Sequence, residues 1–350
     1  MALAATGGLA PARVWLTTLD RLVLRVAFGA TLAFAIAMML DWEFAFLAPL
    51  VTATLLVAMP ANPTFGQGIA VPLTATVFCN GAMAAAYLFA GAPHVLFLFA
   101  GLVICWTAYG QRRGAPAVLM LIGQISVAAV AIFSITSLEL AREFTDFFQK
   151  GALAAAAVVW ISHALIPAPA PPPRPAGAVG PVGLPPADAA RIAFCDTLIL
   201  MPLVAKFMLA SDTNNIVYVS TCAILLSQLE PSAQTRTALD RVWGQVTGGV
   251  MAVMAQQFIF VADTLTHFLL TVFLATLWLA RRIVGAGPGA GFFVQAMSAF
   301  ILVLGLGLVE GGSELYYATR IIKISLAVLY TFAALSLLVR LRQVPASTDG

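Results

Sequence analysis

Asp196 stands inside an apolar run, between Cys195 and Thr197. A carboxylate in a membrane-type helix is costly unless it faces a cavity or a partner, and acids so placed often relay protons. Lys206 follows ten residues later in the same run, with Pro202 between them. Proline removes a backbone hydrogen bond and can kink a helix. Carbonyls freed at a kink are tolerated only against protein or a wet cavity. Asp196, Pro202 and Lys206 are therefore the candidates for transport and proton coupling. A plainer reading also fits: Asp196 caps its helix or pairs with Arg191 or a neighbouring loop base, and the kink serves packing alone.

A second set of residues suits the path of an anion. Lys150, Arg320 and Lys323 stand at the ends of apolar runs. Arg320 and Lys323 are three residues apart and share a helical face. These bases can draw an anion outward or snorkel to headgroups. Gln124 and Gln228 lie within apolar runs, Gln228 just before Glu230-Pro231. They can line a path or bridge helices, although such bridges average only about 0.6 kcal/mol. Asp196 and Gln228, near one membrane depth, suggest an inner vestibule.

Other chemistries find little support. The three histidines, His94, His163 and His267, show no metal-binding spacing, and the four cysteines sit singly in apolar runs. No metal and no cofactor is expected, and no nucleophile, base and metal converge as an enzyme would need. The glycine-rich run 285–291 lacks the Lys-Ser/Thr of a phosphate-binding loop. A net charge of +3, with bases clustered at loop ends, makes nucleic acid an improbable partner.

The elements that must position these residues are membrane spans. The chain is 61% hydrophobic and 9% charged, with a mean hydropathy of +0.97. Soluble domains carry roughly 25% charged residues, so the lipid bilayer is the expected environment. Spanning helices need about 20 residues. Twelve runs meet or approach this, at about 23–41, 43–60, 69–90, 94–110, 115–137, 150–167, 191–210, 214–230, 242–262, 265–281, 291–310 and 320–339. Pro167 to Pro186 is a Pro/Gly-rich stretch that reads as an extended, exposed linker. The expected organisation is a membrane repeat at 1–167, a linker at 168–190, a second repeat at 191–340 and a tail at 341–350.

Charge supports this map. With the N-terminus inside, only Arg142, Lys150, Lys206, Arg320 and Lys323 fall at outer ends, leaving thirteen of the eighteen bases inside. That is the positive-inside bias. The fold class expected is an all-α polytopic membrane protein of about twelve spans, with both termini cytoplasmic. Internal echoes divide it in two. R-V-A-F-G-A-T-L at 25–32 matches R-I-A-F-C-D-T-L at 191–198, placing Arg25 opposite Arg191 and Ala30 opposite Asp196. Arg112-Arg113 matches Arg281-Arg282, and Pro60 matches Pro231. Six spans per half make the halves parallel repeats.

The phrase L-R-V-A-F-G-A-T-L-A-F from Leu24, W-E-F-A-F-L-A-P from Trp42, and D-R-V-W-G-Q-V-T-G-G from Asp240 together resemble the fusaric acid resistance/aromatic acid exporter family. The last phrase carries Arg241, Gly244 and Gly248 of the family's R-x-x-G-x-x-x-G stretch; Gly244 and Gly248 also form a helix-crossing motif. The resemblance extends over essentially the whole chain. It implies a bacterial inner-membrane exporter of small aromatic carboxylic acids or related amphipathic compounds, working beside a periplasmic adaptor of the membrane-fusion type. The family's larger members insert a cytoplasmic domain where this chain has only its linker. Two other readings remain open: a channel or facilitator for anions, which needs no protonatable Asp196, and a scaffold subunit of an efflux complex. A homodimer through glycine-rich faces and a self-contained monomer both fit.

Overall fold

Apolar side chains at helical spacing, with small residues where helices approach most closely, set how the spans of this chain pack. In the computed structural model, described for residues 18–59, 61–167, 183–210, 219, 222, 223, 226, 235–262, 264–309, 326, 329–331, 333 and 334, every regular element is helical. The helices are α1 (Thr18–Met39), α2 (Leu47–Ala58), α3 (Phe65–Leu88), α4 (Pro93–Arg112), α5 (Ala117–Thr136) and α6 (Leu138–Leu165). After the linker come α7 (Pro186–Ala210), α8 (Thr235–Val261), α9 (Leu265–Gly285) and α10 (Ala290–Val309). Eight of these, all but α2 and α6, are long and apolar enough to cross a membrane. The protein is an all-α, polytopic membrane protein.

Several boundaries differ from the sequence expectation, each for a local reason. The second run yields only the twelve-residue α2. Pro49 is confined to its first turn, where a missing N–H does no harm, and Pro60 disfavours helix in the residue before it. The sixth run extends backwards to Leu138, because Ser137 caps α6 by accepting from Glu139 and Leu140 N–H. Linker residues 186–190 belong to α7: Pro186 starts the helix and Asp188 sits in its first turn. Thr64 and Gln67 form a reciprocal capping box at the start of α3. Gly114, with φ 96°, turns the chain sharply after α4. The eighth and twelfth runs lie largely outside the described residues, although 219, 222, 223, 226, 326, 329–331, 333 and 334 are helical.

Packing follows the small faces. In α1 the buried residues Val23, Val26, Ala27, Ala30, Ala33, Phe34 and Ala37 form one helical stripe. α1 packs on α9, and α4 packs on α7. Both pairs are antiparallel: Phe34 meets Phe268 at one end of the first, while Val23 and Leu24 line a cleft with Trp278 and Arg281 at the other. α3 packs on α5, and α8 packs on α10. Gly123 of α5 lies against Phe78 of α3, and α8 and α10 run the same way, since Gly244 and Gly248 lie in turn against Phe292 and Ala296.

Lipid chains are as apolar as leucine, so close contact and polar bonds must hold such helices together. The α8–α10 crossing uses both. A side chain at Gly244 or Gly248 would strike a backbone carbonyl of α10, that of Phe292 or Ala296. The same approach seats the wholly buried Gln245 against Gln295, whose Oε1 accepts from Gln245 Nε2 at 2.7 Å. Gly248→Ala is expected to destabilise the protein by about 1–3 kcal/mol, the usual range for overpacking. An added methyl at Gly249 meets open space, so Gly249→Ala should stay within about 0.5 kcal/mol of wild type. Thermal unfolding in detergent, followed by tryptophan fluorescence, compares the two; equal midpoints would contradict the close crossing.

Candidate functional site

α7 presents two unlike faces. Ala189, Ile192, Ala193, Asp196, Ile199, Leu200, Leu203 and Phe207 are buried, while Phe194, Leu198, Pro202, Lys206 and Leu209 are exposed. Asp196 therefore belongs to the packing stripe. Because α7 begins at Pro186, Asp196 lies about 15 Å along it at 1.5 Å per residue, deeper than a start near Arg191 implies.

The partner of Asp196 comes from the other side of the linker. Arg112, the last residue of α4, donates from Nη2 to Asp196 Oδ2 at 2.8 Å. The same nitrogen donates to the Leu226 carbonyl at 3.0 Å. Both ionic side chains are only 8% exposed. The C-terminal end of a helix favours a cation, and the guanidinium remains charged in any protein environment. Cys222 and Thr331, both buried, hydrogen-bond to each other beside Asp196. Tyr330 donates its hydroxyl to the Ile199 carbonyl of α7 at 2.8 Å. One acid thus gathers α4, α7 and the helical residues near Leu226 and Thr331.

The backbone brings these groups into register. Leu184 N–H donates to the Arg112 carbonyl at 2.9 Å, and Arg113 Nη1 donates to the Leu184 carbonyl at 2.9 Å. Gly183 lies so close to the Arg113 backbone that a side chain there would collide with it. The returning end of the linker is thereby clipped to the end of α4, which places α7 alongside Arg112.

Other candidate residues are dispersed. Pro202 and Lys206 share the exposed face of α7, turned away from Asp196, because six and ten residues of helix rotate them off its stripe. The Lys206 ammonium lies 5.5 Å from the Phe207 ring, and that of Lys150 lies 5.2 Å from Phe147. Gln124 is buried in α5. Gln228, Arg320 and Lys323 lie outside the described residues, as does the side chain of Arg241.

The duplicated arginines also part company. Arg25 is 1% exposed in α1, near the buried His163 of α6, whose Nδ1 lies 2.9 Å from the Val159 carbonyl. Its counterpart in the sequence echo, Arg191, is partly exposed and bonds to Asp188 at 3.1 Å. Sequence reasoning treated Arg112 as a loop charge. The available signal was that a membrane acid needs a cation; the sequence offered several and no distance to choose between them.

Between α2, α5, α6 and α10 lies a mainly apolar pocket, lined by Phe46, Leu50, Leu121, Phe148 and Leu302 with the hydroxyls of Thr54 and Ser298. It joins residues from before and after the linker. Among the described residues no cluster of three or more His, Cys, Asp or Glu side chains is placed to hold a metal.

Residues 22–162 match the model of a family described as a protein of unknown function, DUF2955. The match begins in α1 and ends near the close of α6, so it covers the helices before the linker. No curated protein and no solved structure matches the chain.

Removing one member of the buried pair strands a charge away from water. Arg112→Gln and Asp196→Asn are each expected to cost about 3–5 kcal/mol, while Arg112→Leu/Asp196→Leu recovers much of that loss. Unfolding midpoints of the three variants measure the coupling. Losses that simply add would mean that the two side chains do not interact.

Proposed function

We propose that the chain is a bacterial inner-membrane secondary exporter of small organic anions, aromatic carboxylic acids in particular, built as two parallel six-helix repeats with both termini inside. The observation that carries the mechanism is the buried Arg112–Asp196 pair spanning the linker. Protonation of Asp196 neutralises its carboxyl group and weakens its hold on Arg112. A cargo carboxylate then takes the same guanidinium, whose planar donors suit it. Loss of the proton restores Asp196 as competitor and displaces the cargo.

The repeat reading draws support from packing. α1 lies against α9 as α7 lies against α4, and α3 lies along α5 as α8 lies along α10. Arg112-Arg113 and Arg281-Arg282 each precede a positive-φ glycine, Gly114 or Gly287, and then the helix that follows. Aromatic cargo and a membrane-fusion adaptor follow from the family resemblance, not from any pocket geometry.

The test is flux of labelled benzoate in proteoliposomes with and without an imposed pH gradient. Wild type should respond to the gradient, and the fraction of Asp196→Asn that reconstitutes folded should lose that response. Arg112→Gln should lower flux at least about tenfold, consistent with losing a charged hydrogen bond worth roughly 1.5–3 kcal/mol. Flux that ignores the gradient in both wild type and Asp196→Asn would overturn proton coupling and favour a channel or facilitator.

A further inference from the structure

The second arginine pair occupies a different setting from the first. Arg112 turns inward to Asp196, and Arg113 is held by Leu184. At the corresponding end of α9, Arg281 and Arg282 are exposed. The position matching Asp196 is Ala30 in α1, so α1 supplies no acid at that level to draw an arginine inward.

Arg281 and Arg282 instead line an open cleft of about 510 Å³ with Trp278, Gly285, Ala286 and Phe293. The Arg282 guanidinium lies 5.4 Å from the centre of the Trp278 ring, a cation–π contact that holds it over the cleft wall. Phe293, in the first turn of α10, also lines the cleft and packs edge-on against Trp278. The positive end of the α10 dipole adds to the field there. A smaller cleft on the α1 side shares Trp278 and Arg281 and contains Asp20. Asp20 does not line the larger cleft, whose described charged residues are both arginines.

Position identifies the ligand. Arg281 and Arg282 lie in the last turns of a spanning helix, at headgroup level, with Trp278 on the hydrocarbon side. Two cations above apolar aromatic walls complement a phosphate joined to acyl chains. We propose that this cleft binds the headgroup of an anionic phospholipid. The inference is independent of the transport reading, since neither Arg112 nor Asp196 contributes to it.

The full chain, reconstituted in nanodiscs of phosphatidylcholine with or without phosphatidylglycerol, provides the test. Native mass spectrometry after detergent extraction reads the retained lipid, and thermal unfolding reads its effect on the fold. Wild type should retain phosphatidylglycerol and unfold at a higher temperature with it. Arg281→Gln/Arg282→Gln should reduce retention at least about tenfold, given what two basic residues contribute at an anionic surface. Lys150→Gln, on a separate helix, should retain it as wild type does.

A side chain at Gly285 meets open space, so Gly285→Trp can fill the cleft with both arginines kept, and it should also lose the lipid. Wild-type retention in the double variant or in Gly285→Trp would overturn the proposal. Equal loss in Lys150→Gln would do so too, by reducing the effect to net charge. In phosphatidylcholine discs, inorganic phosphate that reproduces the arginine-dependent thermal shift would identify a free anion as the ligand and overturn the lipid assignment.

Discussion

A carboxylate taken from water into a membrane span loses hydration that apolar side chains cannot replace. It must lose its charge, reach water or meet a cation. Asp196 meets Arg112, whose guanidinium also engages the Leu226 carbonyl. Much of the local architecture follows from this requirement. α4 and α7 must be adjacent and antiparallel, α7 must turn its Asp196 stripe inward, and the linker must return beside the end of α4. The Leu184–Arg112 and Arg113–Leu184 bonds meet that last condition.

The pair joins helices before and after the linker through a buried ionic contact. The α8–α10 crossing at Gly244 and Gly248, with its Gln245–Gln295 bond, is held by uncharged contacts instead.

Similar sequence phrases sit in unlike surroundings. Arg25 is buried beside His163, whereas Arg191 lies near the surface with Asp188. Arg112 enters the interior, whereas Arg281 and Arg282 open onto an aromatic-walled cleft.

Composition and charge spacing made the membrane class, the all-helical fold and the approximate spans legible, because each depends on residues close in sequence. The glycines of α8 announced a close crossing for the same reason. Proximity along the chain groups Asp196 with Pro202 and Lys206, whereas the fold turns the latter two to the exposed face of α7. The choice of Arg112 over Arg191 was not legible. Both are cations near the same end of a span, and only tertiary packing brings one within 2.8 Å of the acid. Sequence alone determined that Asp196 needed a partner, because burying a charge carries that demand wherever it occurs. Tertiary structure decided which partner, because an ion pair depends on distance in space rather than separation along the chain.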